Sequence, residues 1–366
     1  MDKIKKICFI SPKSYSLFKK EDKNIYGGAE VQLYNLGNSL AENKVFEVHF
    51  MVADYGQDEI EKFNNVYVWK AINFKNNLFV QIINFYKIFK KIKADIYIQR
   101  TLTYYSGIIA LYCKVKKIKF YYMLAHDNEA NGENKIYKNI LGRMLIRMLS
   151  MYSTKIIAQN QYEKKNFIKL NYCKNITILK KGLKLLNFFK TEKTYDCVWV
   201  GRCVEWKNPE IILKLAKMNI DLKFLMICPE ATKKNKYFNK VRKTANSIKN
   251  IKFIDLINHD EVIKKISQSK IFCLTSDLEG DLPSVVIESC SVGVPIISYK
   301  INNQLFEKYN GGIYCNNNLK YLNNSLNKLI GDKILYKRFS IGSYIYAKKF
   351  HNIEKILDNF IGIINS

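Results

Sequence analysis

The segment Leu274–Pro295, LTSDLEGDLPSVVIESCSVGVP, limits what this chain can fold into more than any other stretch. The apolar run at its start indicates a strand, and a loop that contains Glu279 follows. A helix is predicted from Ser284, its N-cap, and Gly293 and Pro295 end that helix before the next apolar run. This order of strand, loop, helix and strand is typical of a parallel α/β sheet.

The same segment has the features of a nucleotide site. A helix N-terminus presents unpaired backbone N–H groups and a partial positive charge, which together attract phosphate. Glu279 lies in the loop and Glu288 lies one turn into the helix, where carboxylates can accept hydrogen bonds from sugar hydroxyls. Because nucleotides carry both phosphate and sugar hydroxyls, we expect a nucleotide ligand here.

Apolar runs alternate with helical patterns along the whole chain, and its length of 366 residues suits two domains. In the first half the predicted strands are Ile7–Ile10, Val45–Val52, Val66–Trp69, Ile96–Ile98, Phe120–Leu124 and Lys155–Ala158. In the second half they are Cys197–Val200, Phe224–Cys228, Ile251–Ile254, Ile271–Leu274 and Pro295–Ser298. Helical patterns such as Leu78–Ile92 and Pro209–Met218 separate them, which predicts a parallel sheet in each half.

The polar, weakly patterned stretch Lys184–Tyr195 is interpreted as the linker between two α/β domains. We therefore predict a first domain over residues 1–184, a second over 185–345, and a C-terminal helix over 346–366 that can pack back on the first domain. The two domains are expected to face one another across a cleft. Ligands of open α/β sheets bind outside the carboxyl ends of the strands, so the loops after the strands are the candidate sites.

Two of these loops have features that suit an anion. Gly27 and Gly28, in NIYGGAE, let the backbone approach a bound group at a helix start, although an ordinary glycine turn explains them equally well. Arg202 and Lys207, in VGRCVEWKN, lie between a strand and the helix that begins near Pro209. Two cations at that place can neutralise a diphosphate through charge-assisted hydrogen bonds.

A fourth loop, LAHDNE, contains His126 beside Asp127 at the end of a predicted strand. A histidine there can orient a sugar or polarise a hydroxyl near neutral pH, or it can be a plain loop residue. His49, His259 and His351 have no comparable context, and we predict no role for them.

Nine cysteines without a CxxC pair, most of them in apolar runs, predict buried free thiols in a reducing cytoplasm. A metal site is therefore not expected. No apolar run approaches the ~18 residues of a membrane helix, and the start, MDKIKKICFISP, has too short an apolar core for a signal peptide.

The formal net charge of +28 is heavier in the first half, where residues 1–190 hold 33 Lys and Arg against 15 Asp and Glu. Such a charge attracts nucleic acid, anionic lipid or phosphorylated substrates, or it reflects a composition rich in lysine throughout. The segment Lys75–Lys93 is rich in aromatic and basic residues, and its apolar residues recur with the period of a helix. It fits either a helix on an anionic membrane surface or an ordinary helix packed on the sheet.

These loops resemble those of the nucleotide-sugar glycosyltransferases of family 4, which have the GT-B architecture of two facing Rossmann-like domains. The resemblance runs from near residue 26 to near residue 298, and its last two segments are the most specific. The matching segments are YGGAEVQLYNLGNSLAE, ADIYIQR, YYMLAHDNE, KIIAQNQYEKKNF, VWVGRCVEWKNPEIILKLAK and LEGDLPSVVIESCSVGVPIIS.

The resemblance implies transfer of a sugar from a nucleoside diphosphate donor, with retention at the anomeric carbon and without a cofactor or a required metal. It assigns Arg202 and Lys207 to the diphosphate, Glu279 to the hydroxyls of the transferred sugar, and His126 to a place near that sugar. The expected acceptor is a saccharide or, if the segment Lys75–Lys93 lies on a membrane, a lipid-linked saccharide, in surface polysaccharide or glycolipid synthesis. The expected location is the cytoplasm, as the cysteines indicate, with the inner face of the membrane as an alternative.

The resemblance also assigns residues that bind the substrate. Glu288 corresponds to the carboxylate that holds the ribose, Gly27 and Gly28 close on the donor, and Asp127 is a neighbouring candidate. Backbone amides of the loop before the predicted helix contact sugar and phosphate; these residues are Gly280, Leu282, Pro283 and Ser284.

Two departures from the family pattern affect this assignment. Eight residues separate Glu279 from Glu288, where the family usually has seven, and Lys180 stands where an asparagine is common. The altered glutamate spacing leaves a catalytically silent scaffold open, and two other interpretations also stay open: a basic nucleic-acid-binding protein and a GT-B epimerase or phosphorylase. The charge alone supports a nucleic-acid-binding protein, because no RNA-binding aromatic motif and no zinc-finger spacing occurs, so no nucleic acid partner is expected.

Overall fold

The computed structural model describes residues 4–19, 21–22, 26–171, 173–185, 191–231, 235–277, 279 and 282–365. The chain divides into two compact units. Unit 1 comprises Met1–Gly182 together with Ile353–Ser366, and unit 2 comprises Leu183–Asn352.

The described part of unit 1 contains a sheet of eight strands in the order β3-β4-β2-β1-β5-β6-β7-β8. The strands are β1 (Lys5–Ile10), β2 (Phe46–Ala53), β3 (Ile60–Phe63), β4 (Val66–Ile72), β5 (Ile96–Arg100), β6 (Lys119–Met123), β7 (Lys155–Ala158) and β8 (Ile176–Ile178). Neighbouring strands are parallel except for the β3–β4 pair, which forms an antiparallel edge.

Helices cover both faces of this sheet, so the central strands are buried and consist almost entirely of apolar residues. The helices are α1 (Tyr15–Phe18), α2 (Gly28–Glu42), α3 (Leu78–Ile92), α4 (Ser106–Val115), α5 (Asp127–Ala130), α6 (Ile140–Tyr152), α7 (Gln161–Asn171) and the last helix of the chain, Ile353–Asn365. One core is formed with α3, α4, α6 and α7, and the other with α2 and the last helix.

In the residues of unit 2 that the structure describes, six strands form a parallel sheet in the order β11-β10-β9-β12-β13-β14. Its strands are β9 (Tyr195–Val200), β10 (Phe224–Ile227), β11 (Ile251–Ile254), β12 (Ser269–Leu274), β13 (Ile296–Ser298) and β14 (Gly312–Tyr314). Its helices are α8 (Pro209–Met218), α9 (Lys236–Asn246), α10 (His259–Ser267), α11 (Ser284–Ser291), α12 (Gln304–Glu307), α13 (Leu319–Gly331) and α14 (Lys333–Phe350), and the last helix of the chain is then α15 (Ile353–Asn365).

The predicted α/β class is confirmed, and the strands predicted from apolar runs lie within a few residues of the observed ones. The nine cysteines are all free and buried, as predicted. The prediction that Ser284 is an N-cap is wrong, because Pro283 occupies the N-cap position of α11 and Ser284 is its first helical residue. Among the described helices, none is both long and apolar enough to cross a membrane.

Two helices of unit 1 approach each other closely at a glycine. A Cβ atom on Gly107, in the first turn of α4, would lie 2.1 Å from the backbone oxygen of Leu145 in α6. Backbone atoms cannot move aside as the end of a flexible side chain can, so this position requires glycine.

We expect Gly107→Ala to lower the free energy of unfolding by about 1–3 kcal/mol through overpacking between α4 and α6. Gly362→Ala, in α15, is the matched control, because a Cβ atom there meets nothing within 4 Å. That change should be neutral or stabilise the helix by up to about 1 kcal/mol. Urea unfolding of both variants measures the difference, and equal midpoints would contradict the account of the α4–α6 contact.

Candidate functional site

The candidate residues of unit 2 lie where the strand order of its sheet reverses. β9 comes first in the sequence of the unit, and β10 and β12 flank it on either side. The loops that leave the carboxyl ends of β9 and β12 therefore diverge to opposite faces, which is the usual ligand position in open α/β sheets. The first loop carries Arg202 and Lys207, and the second carries Glu279.

Lys207 and Glu279, which are 72 residues apart, form an ion pair. Their side chains are only 14% and 11% exposed, so the pair lies in a partly dehydrated place. Burial lowers the pKa of Lys207, the Glu279 carboxylate opposes that shift, and the charge of Arg202 adds to it. The structure thus brings together two predicted residues, and the third, half-buried Arg202, is close enough to act on Lys207 electrostatically.

The ammonium group of Lys207 also lies over the ring of Trp206, 4.3 Å from the ring centroid. Such a cation–π contact restricts a lysine side chain that would otherwise be flexible. The carboxylate on one side and the ring on the other therefore hold this cation in a defined position.

The hydroxyl of Thr275 connects the two loops. The indole Nε1 of Trp199, in β9, donates to Oγ1 of Thr275 over 2.8 Å, and this hydroxyl donates to the backbone oxygen of Lys207 over 2.6 Å. Asn208, with a left-handed backbone at φ 48°, donates from its side chain to the backbone oxygen of Thr275 over 3.2 Å. Pro209 then begins α8 at its first helical position, as predicted.

A second set of contacts supports the loop after β12. Asp277 accepts a hydrogen bond of 2.7 Å from the side chain of Asn208 and forms an ion pair with Lys300. Burial raises the pKa of Asp277, but the contacts with Lys300 and Asn208 together lower it by more than that, so the net shift is downward. Asp277 therefore acts as an anionic anchor for the loop that carries Glu279.

Glu288, in α11, is buried, with 3% of the residue exposed. Its Oε1 lies 2.9 Å from Nε2 of His259, the first residue of α10. Burial lowers the pKa of His259, while the carboxylate of Glu288 and then Asp260 raise it, and the net shift is upward. His259 is the residue that the sequence analysis missed, because nothing along the chain indicates that α10 lies against α11.

The other predicted residues of this loop have different surroundings. The side chain of Leu282 is fully buried in an apolar core, so only its backbone can reach a ligand. Pro283 is buried and Ser284 half-buried at the start of α11. Gly280 lies outside the described residues.

In unit 1 the strand order reverses between β1 and β5. Gly27 is the N-cap of α2, its backbone N–H donates to the Glu30 carboxylate over 2.7 Å, and Gly28 is the first helical residue. The Glu30 carboxylate therefore holds the backbone of the glycine turn, which is the one of the two capping-box hydrogen bonds that a glycine N-cap can make. A Cβ atom on Gly27 would lie 3.0 Å from the same carboxylate, so the turn is closely packed.

His126 is exposed and is the N-cap of the short helix α5, and Asp127, half-buried, is the first residue of that helix. The buried carboxylate of Glu129 holds their loop. It accepts from the backbone N–H of Ala125 over 3.0 Å, from the hydroxyl of Tyr122 over 2.8 Å and from the backbone N–H of Leu102 over 3.0 Å. Burial raises the pKa of Glu129.

A buried cation lies beside this carboxylate. Arg100, at the end of β5, donates to the side chain of Gln159 over 2.8 Å, and Gln159 donates in turn to Glu163 over 2.7 Å. Burial raises the pKa of Glu163 to about 7. Thr101 follows with φ 76°, an unusual backbone for a β-branched residue. The sequence analysis missed this network, although a charged residue at the end of an apolar strand is a signal that could have indicated it.

Chemically, unit 2 combines two cations with two carboxylates within one pair of adjacent loops and the helix that follows. Cations suit a phosphate group, and buried carboxylates suit hydroxyl donors. Within the described ranges, no group of three or more His, Cys, Asp or Glu side chains could hold a metal ion.

Comparison with known families supports this interpretation. The sequence profile of "Glycosyl transferases group 1" matches residues 187–345, which is most of unit 2. A search of curated protein sequences gave no significant match.

Solved structures match almost the whole chain. Sucrose-phosphate synthase from Thermosynechococcus elongatus has a TM-score of 0.75 and 13% identity, covering 99% of this chain and 98% of that one. HepE from Anabaena, in complex with UDP-glucose, has a TM-score of 0.73 and 14% identity, covering 98% and 99%. An α-glucosyltransferase, in complex with UDP and DNA, has a TM-score of 0.69 and 12% identity, covering 99% of each chain. These likenesses show the GT-B fold, and with the profile match they support a GT-B glycosyltransferase.

The contribution of the Thr275 hydroxyl to the stability of unit 2 can be tested by mutation. Thr275→Val should lower the free energy of unfolding of unit 2 by about 1–3 kcal/mol, because the indole N–H of Trp199 and the backbone oxygen of Lys207 lose their buried partner. Thr275→Ser keeps the hydroxyl and is the control. Guanidinium unfolding followed by tryptophan fluorescence measures both, and a Val variant as stable as the Ser variant would contradict the role of this hydroxyl.

Proposed function

We propose that this protein is a retaining glycosyltransferase of family 4 that transfers a hexose from a nucleoside diphosphate sugar to a saccharide or lipid-linked saccharide. The observation that carries the proposal is the contact between Lys207 and Glu279 beside Arg202, at the point where the strand order of unit 2 reverses. These residues lie inside the region that the group 1 glycosyltransferase profile matches. The UDP-glucose bound to HepE supports a nucleotide-sugar donor for the shared fold.

In this proposal Arg202 and Lys207 hold the diphosphate, and Glu279 binds hydroxyls of the transferred sugar. An incoming diphosphate competes with Glu279 for Lys207, so donor binding exchanges one ion pair for another and leaves Glu279 available to the sugar. Glu288 binds the ribose, and backbone groups of the Gly280–Ser284 loop contact sugar and phosphate. In unit 1, Gly27, Gly28 and Asp127 are the proposed substrate-binding residues, and His126 is a proposed catalytic residue near the transferred sugar.

The proposed reaction needs stabilisation of the leaving group above all. The bond between the anomeric carbon and the diphosphate oxygen breaks, and its electron pair leaves with the diphosphate. The acceptor oxygen attacks from the same face, forms the new glycosidic bond and gives its proton to the departing phosphate oxygen. Negative charge builds on the diphosphate during this step, so fixed cations lower the barrier without a metal ion.

We further propose that the enzyme works at the cytoplasmic face of an anionic membrane, where a lipid-linked acceptor is available. Helix α3 supports this idea. Its inner face is buried, whereas its outer face exposes apolar and basic side chains. Phe79 is 72% exposed, and the other exposed residues are Ile83, Tyr86, Lys87 and Lys90.

Helix α6 repeats the pattern in the same layer of unit 1. Ile140 is 77% exposed, Met144 and Met151 are more than half exposed, and the exposed Arg143 and Arg147 lie between them. Helix α4 packs against α6 and contacts α3 through the rings of Tyr86 and Tyr112. The three helices contain no aspartate or glutamate. Lys91 of α3 pairs with Glu59, but no carboxylate of the three helices balances their other cations. Apolar side chains among such cations fit an anionic bilayer, which takes up both, better than a protein partner or open water.

The donor site is tested by thermal shift with UDP-, GDP-, ADP- and dTDP-sugars, since a ligand stabilises the folded state it binds. Arg202→Ala and Lys207→Ala should each weaken binding of the stabilising donor by at least about tenfold, because a charge-assisted hydrogen bond contributes roughly 1.5–3 kcal/mol. Arg242→Ala and Lys214→Ala, at exposed helix positions of unit 2, are the matched controls. Turnover of the Arg202 variant at nearly the wild-type rate would count against the proposed mechanism, and analysis of the products separates transfer from epimerisation or phosphorolysis.

The membrane surface is tested by sedimentation with vesicles of phosphatidylglycerol and phosphatidylcholine. Binding should fall with salt and with the change of Phe79 and Met144 to serine, and it should be absent with phosphatidylcholine alone. Val45→Ser, an exposed apolar position outside the three helices, should leave binding unchanged. Retention in the supernatant at low salt, binding to DNA in place of vesicles, or dimerisation that the two serine changes abolish would each contradict the proposal.

A further inference from the structure

The environment of Glu288 assigns different roles to its two carboxylate oxygens. Oε1 lies 2.9 Å from Nε2 of His259. Oε2 is buried and has no hydrogen-bond partner within the described residues. A buried carboxylate oxygen without a partner is costly, so its retention in this position needs an explanation.

The position of His259 is fixed by its own helix. Asn258 is the N-cap of α10, and its side chain accepts a hydrogen bond of 2.9 Å from the backbone N–H of Glu261. His259 is consequently the first residue of α10, which packs on α11, and its side chain is only 16% exposed. The backbone oxygen of Glu288 accepts from the hydroxyl of Ser291 over 2.7 Å, at the end of α11. Both partners of the pair are therefore held by their helices.

We propose that His259 is a positioning residue that holds Oε1 of Glu288 so that Oε2 is presented to a hydroxyl of the donor's ribose. This inference rests on the proposed function and extends it to a residue outside the two strand-end loops that carry Arg202, Lys207 and Glu279. The imidazole restricts rotation of the carboxylate, which would otherwise turn to share both oxygens with any donor nearby. The ribose hydroxyl supplies the hydrogen bond that Oε2 lacks in the unliganded protein.

The proposal predicts how the affinity for a nucleotide depends on its ribose hydroxyl. If Oε2 accepts from the ribose, a nucleotide without that hydroxyl loses this contact, and the loss depends on His259. A histidine that only stabilises the fold would change the affinity for both nucleotides equally. The ratio of the two affinities therefore separates positioning from stability.

The experiment measures the affinity of the full chain for UDP, GDP and ADP and for their 2′-deoxy and 3′-deoxy counterparts by calorimetry. In the wild type, one of the deoxy forms of the best ligand should bind about tenfold more weakly than the ribonucleotide. His259→Phe keeps a flat ring and removes the donor, so the ribonucleotide should bind about tenfold more weakly while the deoxy form changes little. The ratio then falls towards one. His259→Gln places an amide nitrogen near the position of Nε2 and should restore much of the ratio.

Two further variants keep the test decisive. The side chain of His259→Asn is polar but too short to reach Oε1, so this variant should lower the ratio of affinities as the Phe variant does. It provides the test if the Phe variant fails to fold. His49→Phe removes a similar contact in unit 1, where Nε2 of His49 lies 2.9 Å from Glu47, and should leave the ratio unchanged. A wild-type ratio in the Phe or Asn variant would overturn the role of His259 and leave the proposed function standing. Failure of the wild type to bind any nucleoside diphosphate, with dTDP tested beside the other three, would overturn the proposed function itself.

Discussion

The hydrogen bonds of the Thr275 hydroxyl connect the two loops on which the site of unit 2 depends. Parallel pairing places the ends of β9 and β12 side by side, but pairing alone leaves the loops beyond them unconstrained. The Thr275 hydroxyl accepts a hydrogen bond from the indole of Trp199, in β9, and donates one to the backbone oxygen of Lys207. These two bonds connect the backbone of Lys207 to the core of the sheet. The ion pair with Glu279 forms between groups that are already placed, which limits the entropy lost on forming it.

In unit 1 a charged group holds the strand-end loops in place. The carboxylate of Glu129 accepts from the backbones of two strand-end loops, at Leu102 and Ala125, where unit 2 uses a hydroxyl and an amide. A carboxylate in such a place needs several donors to offset its burial, and it has three. Both units thus hold the described parts of their strand-end loops through side chains that bond to the backbone.

The distribution of charge follows from this arrangement. In unit 2, charged side chains of the strand-end loops are paired, as Lys207 is with Glu279 and Lys300 with Asp277. The outward faces of α3 and α6, by contrast, carry cations that no acidic residue of the same helices balances. Paired charges cost little in a partly dehydrated place, whereas unpaired cations at a surface keep their attraction for anions in solution.

The sequence by itself determined the α/β class, the two parallel-rich sheets and most strand positions, because these depend on local apolar period and on turn residues. It also indicated the loops with Arg202, Lys207 and Glu279, since position after a strand is a local property. The pairing of Glu288 with His259, the network around Arg100 and Glu129, and the bond from Trp199 to Thr275 were decided only by the tertiary structure. Each of these joins residues from separate segments of the chain, and only the packing of helices and strands decides which of the chain's many polar side chains meet.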